Sequence, residues 1–240
     1  MITRCIITIF TLLLLSGCGP SEKKRAAESE RSRIECLDKI CENDVLPKYD
    51  MAHESLNKLN GEWYVGPRKY FPAGRNTLSF EWWNHKPVFT KEERTPEMQA
   101  LAMEGKGYDF AIGVFLDSNH IPPSPRGYKL IELARANNWI ESQMTIRPGL
   151  DALRMKHVMG PRGQFLDHVT YYVATELRGS DGLPPVATCN HEFANGSGGT
   201  GFLWHNGIWV STRMNQKHCA DWPEIYTEID RILKQLKLVQ

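Results

Sequence analysis

The 240-residue chain lacks a long hydrophobic run, a charge excess and any familiar catalytic signature. Its most apolar stretch, Ile6 to Leu15, falls well short of the ~20 residues that a membrane-spanning helix requires. Basic residues number 29 and acidic ones 28, a formal net charge of +1, which speaks against a nucleic-acid partner. No G-x-S-x-G elbow occurs, and His191-Glu192 runs into Phe193-Ala194-Asn195 instead of completing H-E-x-x-H. Metal-ligand spacing is missing as well, because Cys189-x-His191 and His218-Cys219 are poor chelating pairs. No catalytic residue, metal or cofactor is therefore expected.

What is present starts at the N-terminus. Arg4 supplies a positive region, Ile6 to Leu15 a short apolar one, and Leu15-Ser16-Gly17-Cys18 follows at once, the order of a signal peptide. Those last four residues resemble the bacterial lipobox. The resemblance implies removal of residues 1–17, acylation of Cys18 and a mature protein on the periplasmic side. Gly19 stands where the inner-membrane retention signal has Asp, which implies the outer membrane. Residues 18–33 are polar and charged, too poor in apolar side chains to fold, and read as a tether from lipid to domain. Each buried methylene contributes ~0.8 kcal/mol, so the acyl chains would hold the protein at the membrane without any apolar patch on the fold.

Cys5 lies in the cleaved peptide and Cys18 is used by the lipid, which leaves Cys36, Cys41, Cys189 and Cys219. An even set in an oxidising compartment reads as two disulfides. Three pairings are open; the one preferred joins neighbours in sequence, Cys36 with Cys41 and Cys189 with Cys219. The second bond would close a loop of about thirty residues, worth ~3–4 kcal/mol in the loop-entropy model.

Residues 34–240 have the length and composition of one α+β domain. Antiparallel strands are expected over Glu62 to Val65, Thr77 to Trp83, Tyr108 to Leu116 and Phe165 to Leu177, and in two arms around His205-Asn206-Gly207. Helices are expected over Pro96 to Met103, Gly127 to Ile140 and Asp221 to Leu238. In the last, Ile225, Ile229, Ile232, Leu233 and Leu236 share one stripe and Pro223 sits in the first turn. Gly66-Pro67-Arg68 recurs as Gly160-Pro161-Arg162, with Phe71 and Phe165 at the same offset. The shift also lays the Gly127 helix on the final one, so two similar strand-strand-helix lobes, near 60–145 and 146–240, are one reading.

Gly196, Gly198 and Gly201 spell the spacing of a dinucleotide loop, yet two aromatic-rich runs follow instead of a helix. The expectation is a mobile glycine loop at the root of a disulfide-tied hairpin. Asp167-His168 could be half of a catalytic triad, but adjacent strand residues point to opposite faces. The same rule sends Trp82 and Trp83 to opposite faces, one into the core. Arg154, Lys156, His157 and Arg162 form a basic cluster suited to an acidic surface or a lipid phosphate, or simply solvated.

The phrases LNGEWYVGPRKYF, FEWWNHKP, YDFAIGVFL, RMKHVMGPRG, HVTYYVATEL, GLPPVATC, GTGFLWHNGIWV and WPEIYTEIDRILKQLK, spread from Leu59 to Val239, resemble the immunity lipoproteins of type VI secretion phospholipase effectors, in particular the kind paired with the third lipase family. The resemblance implies a periplasmic binder of a secreted lipase toxin, tied to the membrane only by its lipid. On the residues themselves, Trp204, Trp209 and Arg213 of the hairpin are the candidates for partner contact, since tryptophan and arginine dominate interface energetics. The competing readings are an envelope hydrolase whose site assembles only in the fold, or a structural envelope lipoprotein.

Overall fold

The computed structural model describes residues 47–71, 76–117, 125–190 and 197–239. Cys18, the tether, Cys36 and Cys41 lie outside the described residues. The expected α+β architecture is present, built on two antiparallel sheets.

The smaller sheet begins with β1 (Glu54–Leu59) and β2 (Glu62–Pro67). They are joined at Asn60-Gly61, whose φ angles of 50° and 82° are both positive, as a tight hairpin turn requires. The larger sheet has nine strands: β3 (Thr77–Trp83), β4 (Lys86–Val88), β5 (Ala111–Asp117), β6 (Ile140–Arg147), β7 (Leu150–Met155), β8 (Val169–Ala174), β9 (Val186–Asn190), β10 (Ser197–Trp204) and β11 (Ile208–Asn215). Its spatial order is β4-β3-β5-β11-β10-β9-β8-β7-β6. A last strand, β12 (Lys237–Val239), pairs with β2 and completes the smaller sheet.

Three α-helices are described: α1 (Pro96–Met103), α2 (Tyr128–Ala136) and α3 (Trp222–Leu233). Thr95 caps α1 by accepting from the Met98 amide at 3.2 Å, with Pro96 at the first helical position. The second helix stops short of the expected Ile140. Asn138 turns left-handed at φ 53°, the Trp139 amide bonds back to the Ala134 carbonyl at 2.8 Å, and the chain is released into β6. The third stops at Leu233, short of the expected Leu238, because the tail leaves to pair with β2. Likewise the strand expected from Tyr108 starts at Ala111, after a short 3-10 turn at Gly107–Asp109.

Side-chain alternation gives the large sheet two different faces. On the inner face, Leu78, Phe80 and Trp82 of β3, Ile112, Val114 and Leu116 of β5, and Ile208 and Val210 of β11 are buried against α3. Leu59 and Tyr64 of the small sheet belong to the same core. The stripe read from the sequence does this work, since Ile225, Ile229, Ile232 and Leu233 are all 0% exposed. On the outer face, Leu130, Ile131 and Ala134 of α2 cover Leu153, Met155, Tyr171, Val173 and Val186 of β7, β8 and β9. Trp82 and Trp83 do part as expected. Trp82 is buried with its indole N–H donating to Asp221 at 2.8 Å, while Trp83 is half-buried, edge-on to Phe110.

The recurring Gly-Pro-Arg phrase occupies unlike settings. Gly66-Pro67 ends β2, whereas Gly160-Pro161 lies in the β7–β8 connection, and Phe71 is 0% exposed where Phe165 is 40% exposed. The starts of α2 and α3 keep the correspondence. One sheet runs through both halves, with β5 of the first paired to β11 of the second.

Candidate functional site

The stretch from Cys189 to Asp221 forms β9, the β10–β11 hairpin and a closing 3-10 turn at Gln216–Asp221. Cys189 and Cys219 are disulfide-bonded, with their Cα atoms 6.5 Å apart, so the bond ties β9 to the segment leaving β11.

The expectation of a mobile glycine loop is corrected here. Gly198 and Gly201 are ladder residues of β10, in register with Cys189 and Met214 and with Ser211 respectively; Gly196 lies outside the described residues. Each described glycine answers a close approach. A Cβ on Gly198 would sit 3.0 and 3.1 Å from the two disulfide sulfurs, and one on Gly199 would meet the Thr212 carbonyl at 3.1 Å. A Cβ on Gly201 would enter the ring of Trp209, which folds across the strand to fill the space the glycine leaves. Nothing here is a strand-to-helix phosphate turn. Nor do His205 and His218 converge: His205 is exposed, and His218 is buried, its Nε2–H donating to the Asp109 carbonyl at 2.8 Å, while His191 lies outside the described residues. Burial holds the His218 imidazole below its usual pKa. Among the described residues no three His, Cys, Asp or Glu side chains gather as a metal site would require.

The hairpin register separates the residues proposed for partner contact. Trp204 pairs with Ile208 and Leu203 with Trp209, so the two tryptophans occupy opposite faces. Trp204 packs against the inner core, its ring centroid 6.3 Å from that of Tyr64. Trp209 shares the outer face with Ser211 and the exposed Arg213, whose guanidinium lies 5.7 Å over the Phe115 ring. Trp209 and Arg213 thus belong together, and Trp204 does not.

Helix α2 leaves the outer face open over β10 and β11, and the uncovered part is concave. A groove of about 740 Å³ has Gly199, Gly201 and Ser211 as its floor, with Thr188, Asn190 and Tyr171 on one side. Arg126, Arg162 and Arg213 line it, and among the described residues no carboxylate does. Burial pushes the Tyr171 phenol up to about 12, against the opposing charge of Arg162, so it is a neutral hydroxyl at physiological pH. A second hollow of about 340 Å³ adjoins it, sharing Arg126, Gly127, Val186, Gly201 and Trp209 and adding Leu183, Pro184, Pro185 and Leu203.

Other sequence candidates are redistributed. Asp167 does not act with its neighbour His168; its carboxylate accepts from His157 Nδ1 at 2.8 Å. That bond holds the Asp167 carboxyl below its ordinary range. The His157 ring stacks on Phe165, centroids 4.1 Å apart, and His168 faces the groove. The basic cluster also divides, because Lys156 donates to the Asn138 carbonyl at 2.7 Å and His157 is held by Asp167. Of that cluster Arg162 reaches the groove. Arg126, just before α2, had no sequence signal at all, because only the topology brings it beside β10.

No family model matches the chain, and no curated protein matches it. Among solved structures it is similar to an immunity protein of the Stenotrophomonas maltophilia type IV secretion system, at 14% identity and a TM-score of 0.47, over 77% of this chain and 94% of that one. A likeness of that degree carries no argument about function.

Proposed function

We propose that the protein is a non-catalytic periplasmic lipoprotein that binds and neutralises a secreted phospholipase, as the immunity protein to that toxin. The outer face of the β10–β11 hairpin is part of the contact surface. The observation that carries this reading is the half-open sheet face, which presents Trp209 and Arg213 on β11, a strand paired on both sides and buttressed from behind by α3. Rigidly displayed tryptophan and arginine supply most of the binding energy in protein interfaces, and preorganisation lowers the entropic cost of docking. The Cys189–Cys219 disulfide suits an oxidising compartment. The sequence phrases from Leu59 to Val239 supply the partner class, and acylation at Cys18 would hold the protein at the outer membrane, where a phospholipase attacks. The hydrolase alternative rests on the Asp167–His157 pair at 2.8 Å.

Periplasmic co-expression with a phospholipase toxin encoded beside the gene tests the proposal. The expected result is a stable complex and restored growth. If the wild-type chain neither binds the lipase nor relieves its toxicity, and instead turns over an envelope substrate, the immunity reading is wrong and the hydrolase reading replaces it.

A further inference from the structure

We infer that the outer groove is a binding site for a single-chain anionic amphiphile, an acidic headgroup of carboxylate or phosphate chemistry on an alkyl chain. This goes beyond toxin neutralisation and can be tested without a toxin. Two adjoining hollows carry it. The larger, about 740 Å³, gathers three guanidiniums in a chain whose formal net charge is only +1, and among the described residues its lining contains no Asp or Glu. Uncharged polar groups stand beside them, among them Thr188, Asn190 and Ser211. An acidic headgroup takes charge-assisted hydrogen bonds from guanidinium forks.

The smaller hollow, about 340 Å³, continues past Trp209 into a wall of Leu183, Pro184, Pro185 and Leu203. Its charged lining residues, Arg126, Lys129 and Asp181, include both signs, so this end offers chiefly apolar contact. A cationic end followed by an apolar end in one concavity is the order of groups in a single-chain amphiphile. Both volumes fall in the ~300–1,000 Å³ range of small-molecule sites, whereas a folded partner covers a broader surface. Trp209, lying flat over Gly201 at the junction, is the side chain that headgroup and chain would both pass.

The test is titration of the purified full-length chain with dodecanoate and with dodecyl phosphate, each below its micellar concentration, followed by calorimetry and tryptophan fluorescence. Saturable binding at one site is expected, with the neutral-headed dodecyl maltoside and inorganic phosphate alone each at least about tenfold weaker. The two anionic arms rank carboxylate against phosphate. Arg162→Gln combined with Arg213→Gln should weaken both by about tenfold or more, since each variant loses a charge-assisted contact. Both arginines are exposed, so the variant should keep the wild-type circular dichroism and melting temperature. Should it fail to fold, the wild-type salt dependence still decides, because binding must fall as ionic strength rises. Equal affinity for neutral and anionic heads, affinity indifferent to salt and to the arginines, or no binding at all would overturn the inference. Occupancy by a toxin segment alone would show as the last of these.

Discussion

The two faces of the nine-stranded sheet are built from the same strands to different ends. Across β3, β5, β10 and β11 the inner face is apolar and closed, with Trp222, Ile225, Ile229, Ile232 and Leu233 of α3 packed on it and 0% exposed. On the outer face the same strands carry Glu81, Gly113, Gly199, Gly201, Ser211 and Arg213, and α2 covers only the neighbouring β7–β9 region. The inner alternate residues account for stability. The outer ones mix glycine, serine and charged residues with Phe115, Leu203 and Trp209, and over β10 and β11 the described residues leave a groove. A covered face resists change through packing, while an open one tolerates polar change and can carry specificity.

The sharpest break in that contrast should come from the inner face. Trp222 is fully buried and its indole N–H donates to the Pro185 carbonyl at 3.0 Å. Trp222→Ala should cost ~3–5 kcal/mol, read as a lowered urea midpoint, enough to leave much of the chain unfolded. A smaller effect is expected where the outer face is packed most tightly. Gly201→Ala should displace Trp209 and cost about 1–3 kcal/mol, and most of that loss should vanish in the Gly201→Ala, Trp209→Ala double variant. Additive losses would show that the ring does not rest on the glycine.

The smallest effect concerns pH. His218 is buried beside Cys219 with its pKa depressed, so the unfolded chain takes up a proton first as pH falls. Stability should therefore decline as pH drops below the unfolded value of ~6.5 and level off below the folded one. His218→Gln should flatten that part of a denaturation series collected between neutrality and mild acid.

Much of the inner face was legible in the sequence because its signals are local. The isoleucine stripe of α3, the alternation of Thr77–Trp83 and the Asn206-Gly207 turn each report on a few adjacent residues. The strands β1, β6, β7 and β9 were not visible. ESLNKL and IESQMTIR are too polar to announce a strand, LDALRM consists of good helix formers apart from Asp151, and VATCN is short. The outer site was nearly illegible for a different reason. Glycine is unfavourable in a strand, so the run at 198–201 reads as a loop until Trp209 and the disulfide are seen resting on it. Trp204 and Trp209 read as a pair until register, which a turn of one more or one fewer residue would reverse, puts them on opposite faces. Arg126, Arg162 and Arg213 come from three separate connections and strands, and their convergence is a property of topology.

The division between the faces is tested most directly at the two hairpin tryptophans. Toxin affinity and unfolding free energy should be measured side by side for Trp209→Ala and Trp204→Ala. Trp209→Ala should weaken binding by about tenfold or more and leave the fold intact, while Trp204→Ala should lower stability and leave the affinity of the folded protein near wild type. Loss of affinity confined to Trp204→Ala, with Trp209→Ala binding as wild type, would contradict that division.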